Sequence, residues 1–128
     1  MQEKPCEPIA IVDDDESVRE ATISLLRSNR LGGETFSSAE EFLNSPLLAK
    51  TRCVLLDIEL PGMSGLELQR RLADQSRRIS IIFITARDDP KNRMEALRMG
   101  AIDFLPKPFS EEALLGAICN ALKTPGND

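Results

Sequence analysis

Three short apolar runs each end abruptly at a polar residue: residues 9–12 before Asp13, 53–56 before Asp57, and 79–84 before Thr85. Half-exposed strands alternate apolar and polar positions; runs that are apolar almost throughout read as strands buried on both faces. Helical spacing follows the first of them, with Val18, Ala21, Leu25 and Leu26 marking a helix from Glu16 to about Asn29. Buried strands that are each followed by a helix specify a parallel sheet covered on both sides.

The remaining punctuation fits that plan. Gly32-Gly33 breaks the chain before a brief strand at 34–37. Ser38 with Glu41 is a capping-box signature for a short helix through Leu43, and Ser64 with Glu67 is another, after a Pro61-Gly62 turn, for a helix to about Asp74. Asp89-Pro90 supplies an N-cap and first-position proline for a helix that Gly100 closes. Residues 101–105 form a last strand, and Ser110-Glu111-Glu112 opens a final helix through Leu122. Five strands thus alternate with five helices in one domain over residues 8–123. Residues 1–7 and 124–128 are expected to be flexible tails, with 123–128 resembling the opening of a linker.

The 128 residues suit one domain. Such a chain buries roughly two thirds of its unfolded surface, so disulfides and structural metals are unnecessary. Cys6, Cys53 and Cys119 are odd in number and contain no CxxC pair, which indicates unpaired thiols in a reducing compartment. No apolar run is long enough to cross a bilayer, and residues 1–5 lack a basic segment leading into an apolar one; a cytoplasmic location is the expectation. The chain has no histidine, which removes Ser-His-Asp and Cys-His catalysis, histidine zinc sites and a phosphohistidine-donor role. A formal charge of −5 argues against direct nucleic-acid binding by this domain.

In open parallel sheets, functional groups gather beyond the carboxyl ends of the strands. Asp13, Asp14, Asp57, Thr85 and Lys107 all fall at that edge. Two like charges about 4 Å apart repel by roughly 4 kcal/mol at an effective dielectric of ~20, a large part of a domain's ~5–15 kcal/mol stability. Lys107 offsets only part of the cluster; a hard divalent cation with oxygen ligands, Mg²⁺, completes the balance. Taken singly, Asp13, Asp14 and Asp15 are each explained by capping of the first helix. Asp57 is not, because residues 58–62 separate it from the helix that Ser64 opens. A nucleotide site is disfavoured: the turn after the first strand reads Val12-Asp13-Asp14-Asp15-Glu16, which repels phosphate, where a glycine-rich cradle is needed.

These residues resemble the receiver domains of bacterial two-component response regulators, over residues 9 to about 122. The likeness rests on Ile11-Val12-Asp13-Asp14-Asp15, on Leu55-Leu56-Asp57-Ile58-Glu59-Leu60-Pro61-Gly62-Met63-Ser64-Gly65, on Thr85-Ala86 and on Lys107-Pro108-Phe109, in order and with the right element between each. The resemblance implies a flavodoxin-like (βα)5 α/β sandwich of three layers, with strand order 2-1-3-4-5. It implies that Asp57 accepts a phosphoryl group from a sensor histidine kinase. Asp14 and Asp57 would ligate Mg²⁺, joined by the Glu59 backbone carbonyl and, through water, by Asp13. Lys107 would pair with Asp57 at rest and then with the phosphoryl oxygens, which the Thr85 hydroxyl and Ala86 N–H would also hold. A cis Lys107–Pro108 bond would aim Lys107 into the site.

Phe104 matches the family's aromatic switch position; its ordinary alternative is a half-exposed aromatic on an edge strand. Switching would repack the surface of the fourth helix, fifth strand and fifth helix, and so control an output, transcription. The phrasing of residues 100–109 is similar to regulators that carry a helix-turn-helix DNA-binding domain after the receiver, and phosphorylation-dependent homodimers are a family expectation. Such a domain is a regulatory phosphoacceptor that assists its own phosphorylation and dephosphorylation, not a turnover enzyme. Pro106 departs from the usual family spelling and stiffens the strand end before Lys107. Glu59 and Arg87 hold the family's lifetime-tuning positions; they either pair across the mouth of the site or stand as two solvated charges, since exposed pairs contribute little. Two other classes fit the fold: an interaction module that no longer accepts phosphate, and a Mg²⁺-dependent phosphohydrolase. The latter needs a second acid two residues past its nucleophile, which Asp57-Ile58-Glu59 matches loosely, and a cap insertion, which this chain lacks.

Overall fold

The computed structural model describes residues 9–123; the tails expected at 1–7 and 124–128, like Cys6, lie outside the described residues. The elements are β1 (Ile9–Val12), α1 (Glu16–Ser28), β2 (Gly33–Phe36), α2 (Ala39–Leu43), β3 (Cys53–Asp57), α3 (Gly65–Asp74), β4 (Ser80–Thr85), α4 (Pro90–Arg98), β5 (Asp103–Pro106) and α5 (Glu111–Lys123). The strands form one parallel sheet in the order β2-β1-β3-β4-β5. The fold is therefore the flavodoxin-like sandwich expected from the sequence.

Alternate residues of each strand face opposite layers, and both layers are apolar. Ala10, Val12, Val54, Leu56, Ile81 and Phe83 pack with Phe42 of α2, Leu68 and Leu72 of α3 and Ala96 of α4. Ile9, Ile11, Cys53, Leu55, Ile82 and Ile84 pack on the other side with Leu26 of α1 and Leu114, Ala117 and Ile118 of α5. Fully burying one such Leu, Ile or Phe contributes about 1.5–3 kcal/mol, and truncating it to alanine costs about 2–5 kcal/mol because a cavity remains. Burial also pushes the Cys53 thiol up to about 12, so it stays protonated and inert; Cys53 and Cys119 are both free. Among the described residues, no helix is long and apolar enough to cross a membrane.

The helix starts follow the sequence closely. Ser38 Oγ accepts the Glu41 N–H at 3.0 Å, but the Glu41 carboxylate reaches back to the N–H of Ser37, at 2.7 Å, one residue beyond the N-cap that a reciprocal box would use. Ser64 Oγ accepts the Glu67 N–H at 3.1 Å, while Glu67 turns to Arg71 at 3.7 Å. Asp89 caps α4 through the Lys91 N–H at 3.0 Å, with Pro90 at the first position. Gly100, at φ +102°, closes α4, and the Ala101 N–H bonds back to the Ala96 carbonyl at 3.0 Å. That last bond explains a difference from expectation. Ala101 still belongs to the end of α4, so β5 begins at Asp103 and runs through Pro106 instead of spanning 101–105. Proline is tolerated there because β5 is an edge strand. A 3₁₀ helix at Pro46–Lys50, capped by Ser45, was not expected either.

Candidate functional site

The strand order sets the site. Val12 is in register with Leu56, so Asp13 and Asp57 leave adjacent strands side by side, and Asp57 is in register with Ile84, next to Thr85. Asp13, Asp57 and Thr85 are buried, at 2%, 7% and 1% exposure, whereas Asp14 is exposed. One carboxylate oxygen from each of Asp13, Asp14 and Asp57 lies within 4.8 Å of the others.

The run of acids divides its labour. Asp15 turns outward and caps α1, accepting the Ser17 N–H at 2.9 Å and the Val18 N–H at 3.4 Å. Asp13 turns inward; its Oδ1 accepts the Asp15 N–H at 2.9 Å, and its carbonyl accepts a hydrogen bond from Arg19 at 2.7 Å. Asp57 mirrors it, with Oδ1 accepting the Glu59 N–H at 3.0 Å. The second oxygens face a common cation: Lys107 Nζ stands 3.0 Å from Asp13 Oδ2 and 3.4 Å from Asp57 Oδ2. Lys107 is thus nearer Asp13 than Asp57. Its backbone N–H donates to the Thr85 carbonyl at 2.7 Å, and its bond to Pro108 is cis.

Burial pushes the Asp57 carboxyl above its ordinary value, against the pull of the Glu59 N–H and Lys107. For Lys107, burial works to lower the ammonium; the bond to Asp13 and the charges of Asp57 and Asp13 prevail, leaving it above its usual value. One firmly protonated lysine therefore faces two buried carboxylates and a third at the rim. Oxygen donors at this spacing could hold a hard divalent ion, which would remove the remaining imbalance.

The other side of the rim is arranged differently. Thr85 Oγ1 donates to the Arg87 carbonyl at 2.9 Å and accepts the Arg87 N–H at 3.1 Å, so its hydroxyl is committed to its own loop. Ala86 is exposed beside it. Phe104 is not half-exposed: it retains 7% exposure, with its ring 6.2 Å from that of Phe83 and the Arg93 guanidinium 5.8 Å above it. The edge strand buries it because α4 covers that face. Arg87 and Glu59 approach to 3.9 Å with both side chains largely exposed, a geometry of small energetic weight.

Gly65 has a role that its place in the motif did not disclose. A Cβ there would stand 2.4 Å from the Asp57 carbonyl oxygen and 2.9 Å from the Ile58 Cα, so the first turn of α3 rests directly on the Asp57 backbone. Only glycine permits that approach. Arg19 was likewise missed, since nothing in a helical period marks a side chain that curls back to a carbonyl six residues earlier.

Comparison with known proteins agrees with this architecture. The family model for the response regulator receiver domain matches residues 9–119. The chain belongs to that family. It is 50% identical over 115 residues to the response regulator protein TmoT of Ectopseudomonas mendocina, covering 90% of this chain and 52% of that protein. It is 39% identical over 114 residues to the transcriptional regulatory protein TdiR of Thauera aromatica, covering 89% of this chain and 50% of that protein. Among solved structures, the response regulator StyR superposes with a TM-score of 0.84 at 47% identity, over 92% of this chain and 60% of that one. The chain spans about half the length of the curated relatives it matches.

Proposed function

We propose that this chain is a cytoplasmic phosphate-accepting switch that takes a phosphoryl group on Asp57 from a sensor histidine kinase. The observation that carries the proposal is the pair of buried carboxylates sharing Lys107, with a third carboxylate beside them. Asp14 and Asp57, with the Glu59 carbonyl and, through water, Asp13, would hold Mg²⁺, whose charge keeps Asp57 ionised and offsets the phosphoryl oxygens. Asp57 Oδ2 is the oxygen available for attack, since Oδ1 is tied to the Glu59 N–H. Its lone pair forms the O–P bond as the N–P bond of the donor phosphohistidine breaks and the electron pair returns to the imidazole. Lys107 moves its ammonium from the carboxylates to the new phosphoryl oxygens, and the Ala86 N–H offers a further donor.

The phosphoryl group adds charge and three strong acceptors. Thr85 exchanges its bonds to Arg87 for one to phosphate, and the volume it leaves adjusts the packing of Phe104. The α4-β5-α5 surface changes with it. We infer that this surface mediates a phosphorylation-dependent homodimer and controls transcription through a DNA-binding output domain that is not among these residues. The name of TdiR and the half-length coverage of the relatives support that inference. Glu59 and Arg87, paired at 3.9 Å, would hinder the water that hydrolyses the acyl phosphate. Incubation with acetyl phosphate and Mg²⁺ tests the acceptor: wild type gains the mass of one phosphoryl group and Asp57→Asn gains none. No gain on wild type, or an undiminished one on the variant, refutes it.

A further inference from the structure

Glu40, in the first turn of α2, lies outside the acidic cluster, yet it reaches the loop that follows Asp57. Its Oε2 accepts the Met63 N–H at 3.0 Å, from 23 residues away in sequence. The neighbouring Gly62 has φ +77°, and a Cβ there would stand 2.8 Å from the same carboxylate oxygen. Left-handed backbone and close approach both select glycine at that point. The bond to Met63 draws the Glu40 carboxyl below its ordinary value, so at neutral pH an anion accepts this N–H, which makes the bond charge-assisted.

The 58–64 loop is also pinned at its base and on its inner side. The Gly65 N–H donates to the Ile58 carbonyl at 2.9 Å, and the Glu59 N–H donates to Asp57 Oδ1 at 3.0 Å. Glu40 secures the outer limb, and it does so from a firm post: Ser38 caps α2, and Ala39 and Phe42 on either side of Glu40 are fully buried. Three ties at base, inner side and outer limb leave the loop little freedom. Its inner side carries the Glu59 N–H that orients Asp57.

We propose that Glu40 is a positioning residue for the acceptor site, fixing the 58–64 loop so that the Glu59 carbonyl and the Asp57 carboxylate keep the orientation that cation binding requires. The inference rests on the Mg²⁺-dependent acceptor function above. Glu40 touches neither the cation site nor Asp57 and acts through the Met63 N–H and the loop backbone.

The test compares wild type, Glu40→Ala and Glu40→Gln in the whole chain, reading Met63 amide exchange without Mg²⁺, the Kd for Mg²⁺, and phosphoryl uptake from acetyl phosphate. Glu40→Ala is expected to speed Met63 exchange and to weaken Mg²⁺ binding about tenfold, the low end of what outer-shell partners contribute. Glu40→Gln keeps an acceptor oxygen and is expected to recover the Met63 protection and most of the affinity. A Glu40→Ala Kd within about twofold of wild type overturns the proposal, whatever happens to the melting temperature, because outer-shell partners contribute more than that. Equal losses in the Ala and Gln variants overturn it as well. Wild type that neither binds Mg²⁺ nor takes up phosphate sinks the acceptor function and this inference together; normal wild type beside an unaffected Glu40→Ala sinks the inference alone.

Discussion

On the β1–β3 side of the site, each buried carboxylate has one oxygen tied to a backbone N–H, Asp13 to Asp15 at 2.9 Å and Asp57 to Glu59 at 3.0 Å, and its other oxygen turned to Lys107. On the β4–β5 side, the Thr85 hydroxyl bonds within its own loop, to Arg87, and Phe104 is held by packing against Phe83 and beneath Arg93. The first arrangement is preorganised: its hydrogen bonds fix where negative charge sits before any ligand arrives. The second is exchangeable, because a hydroxyl that leaves two local bonds for one strong acceptor loses little. Under the proposed function, charge is held in one half of the rim and read in the other, and the two share the Lys107 backbone, bonded to the Thr85 carbonyl at 2.7 Å.

The sharpest way to break this contrast is to disturb the preorganised half without touching its charges. Gly65→Ala places a Cβ 2.4 Å from the Asp57 carbonyl, so the backbone under Asp57 must move. Overpacking of this kind costs about 1–3 kcal/mol, and a displacement near 1 Å slows reaction by up to about a hundredfold. Thermal unfolding and the rate of uptake from acetyl phosphate should both show the loss. Wild-type rates would mean that the acceptor's backbone placement does not matter.

Removing the Asp57 charge probes the same half through stability. Burial raises the Asp57 carboxyl, so in the folded state it binds its proton more tightly than when unfolded. A raised carboxyl favours folding below its unfolded value, near ~3.9, and that advantage fades as pH climbs through the folded value. In chelator, Asp57→Asn should therefore melt higher than wild type at neutral pH, with the difference closing as pH falls toward the unfolded value. A difference that widens on acidification would reverse the assigned cause.

The smallest effect on phosphoryl uptake belongs to the exchangeable half. Thr85→Ala removes two bonds to Arg87, each worth about 0.5–1.5 kcal/mol, and should leave Asp57 able to take up phosphate. What it should abolish is the change in amide exchange along α4 on phosphorylation. An unchanged α4 response would move the reading role away from Thr85.

Much of this was legible in the residues because burial on both faces leaves an unmistakable mark: continuous apolar runs gave β1, β3 and β4, and caps at Ser38, Ser64 and Asp89 gave helix starts. Local signals failed where a neighbour decided. Ala101 looked like a strand but belongs to the Gly100 closure, and 46–50 has no period that announces a single 3₁₀ turn. The site's acids were visible as strand ends, yet sequence could not show which of Asp13, Asp14 and Asp15 turns inward. Nor could it show that Phe104 is buried, that Gly65 rests on Asp57, or that Glu40 reaches Met63. Those are contacts across elements, set by packing that a linear pattern does not encode.

A Mg²⁺ titration followed by melting temperature tests the shared-cation claim most directly. Ligand at a hundredfold excess over Kd stabilises the folded state by about 2.7 kcal/mol, so wild type should melt several degrees higher with saturating Mg²⁺, and Asp14→Asn should lose most of that shift. A wild-type melting temperature indifferent to Mg²⁺, or a shift that Asp14→Asn retains in full, would contradict it.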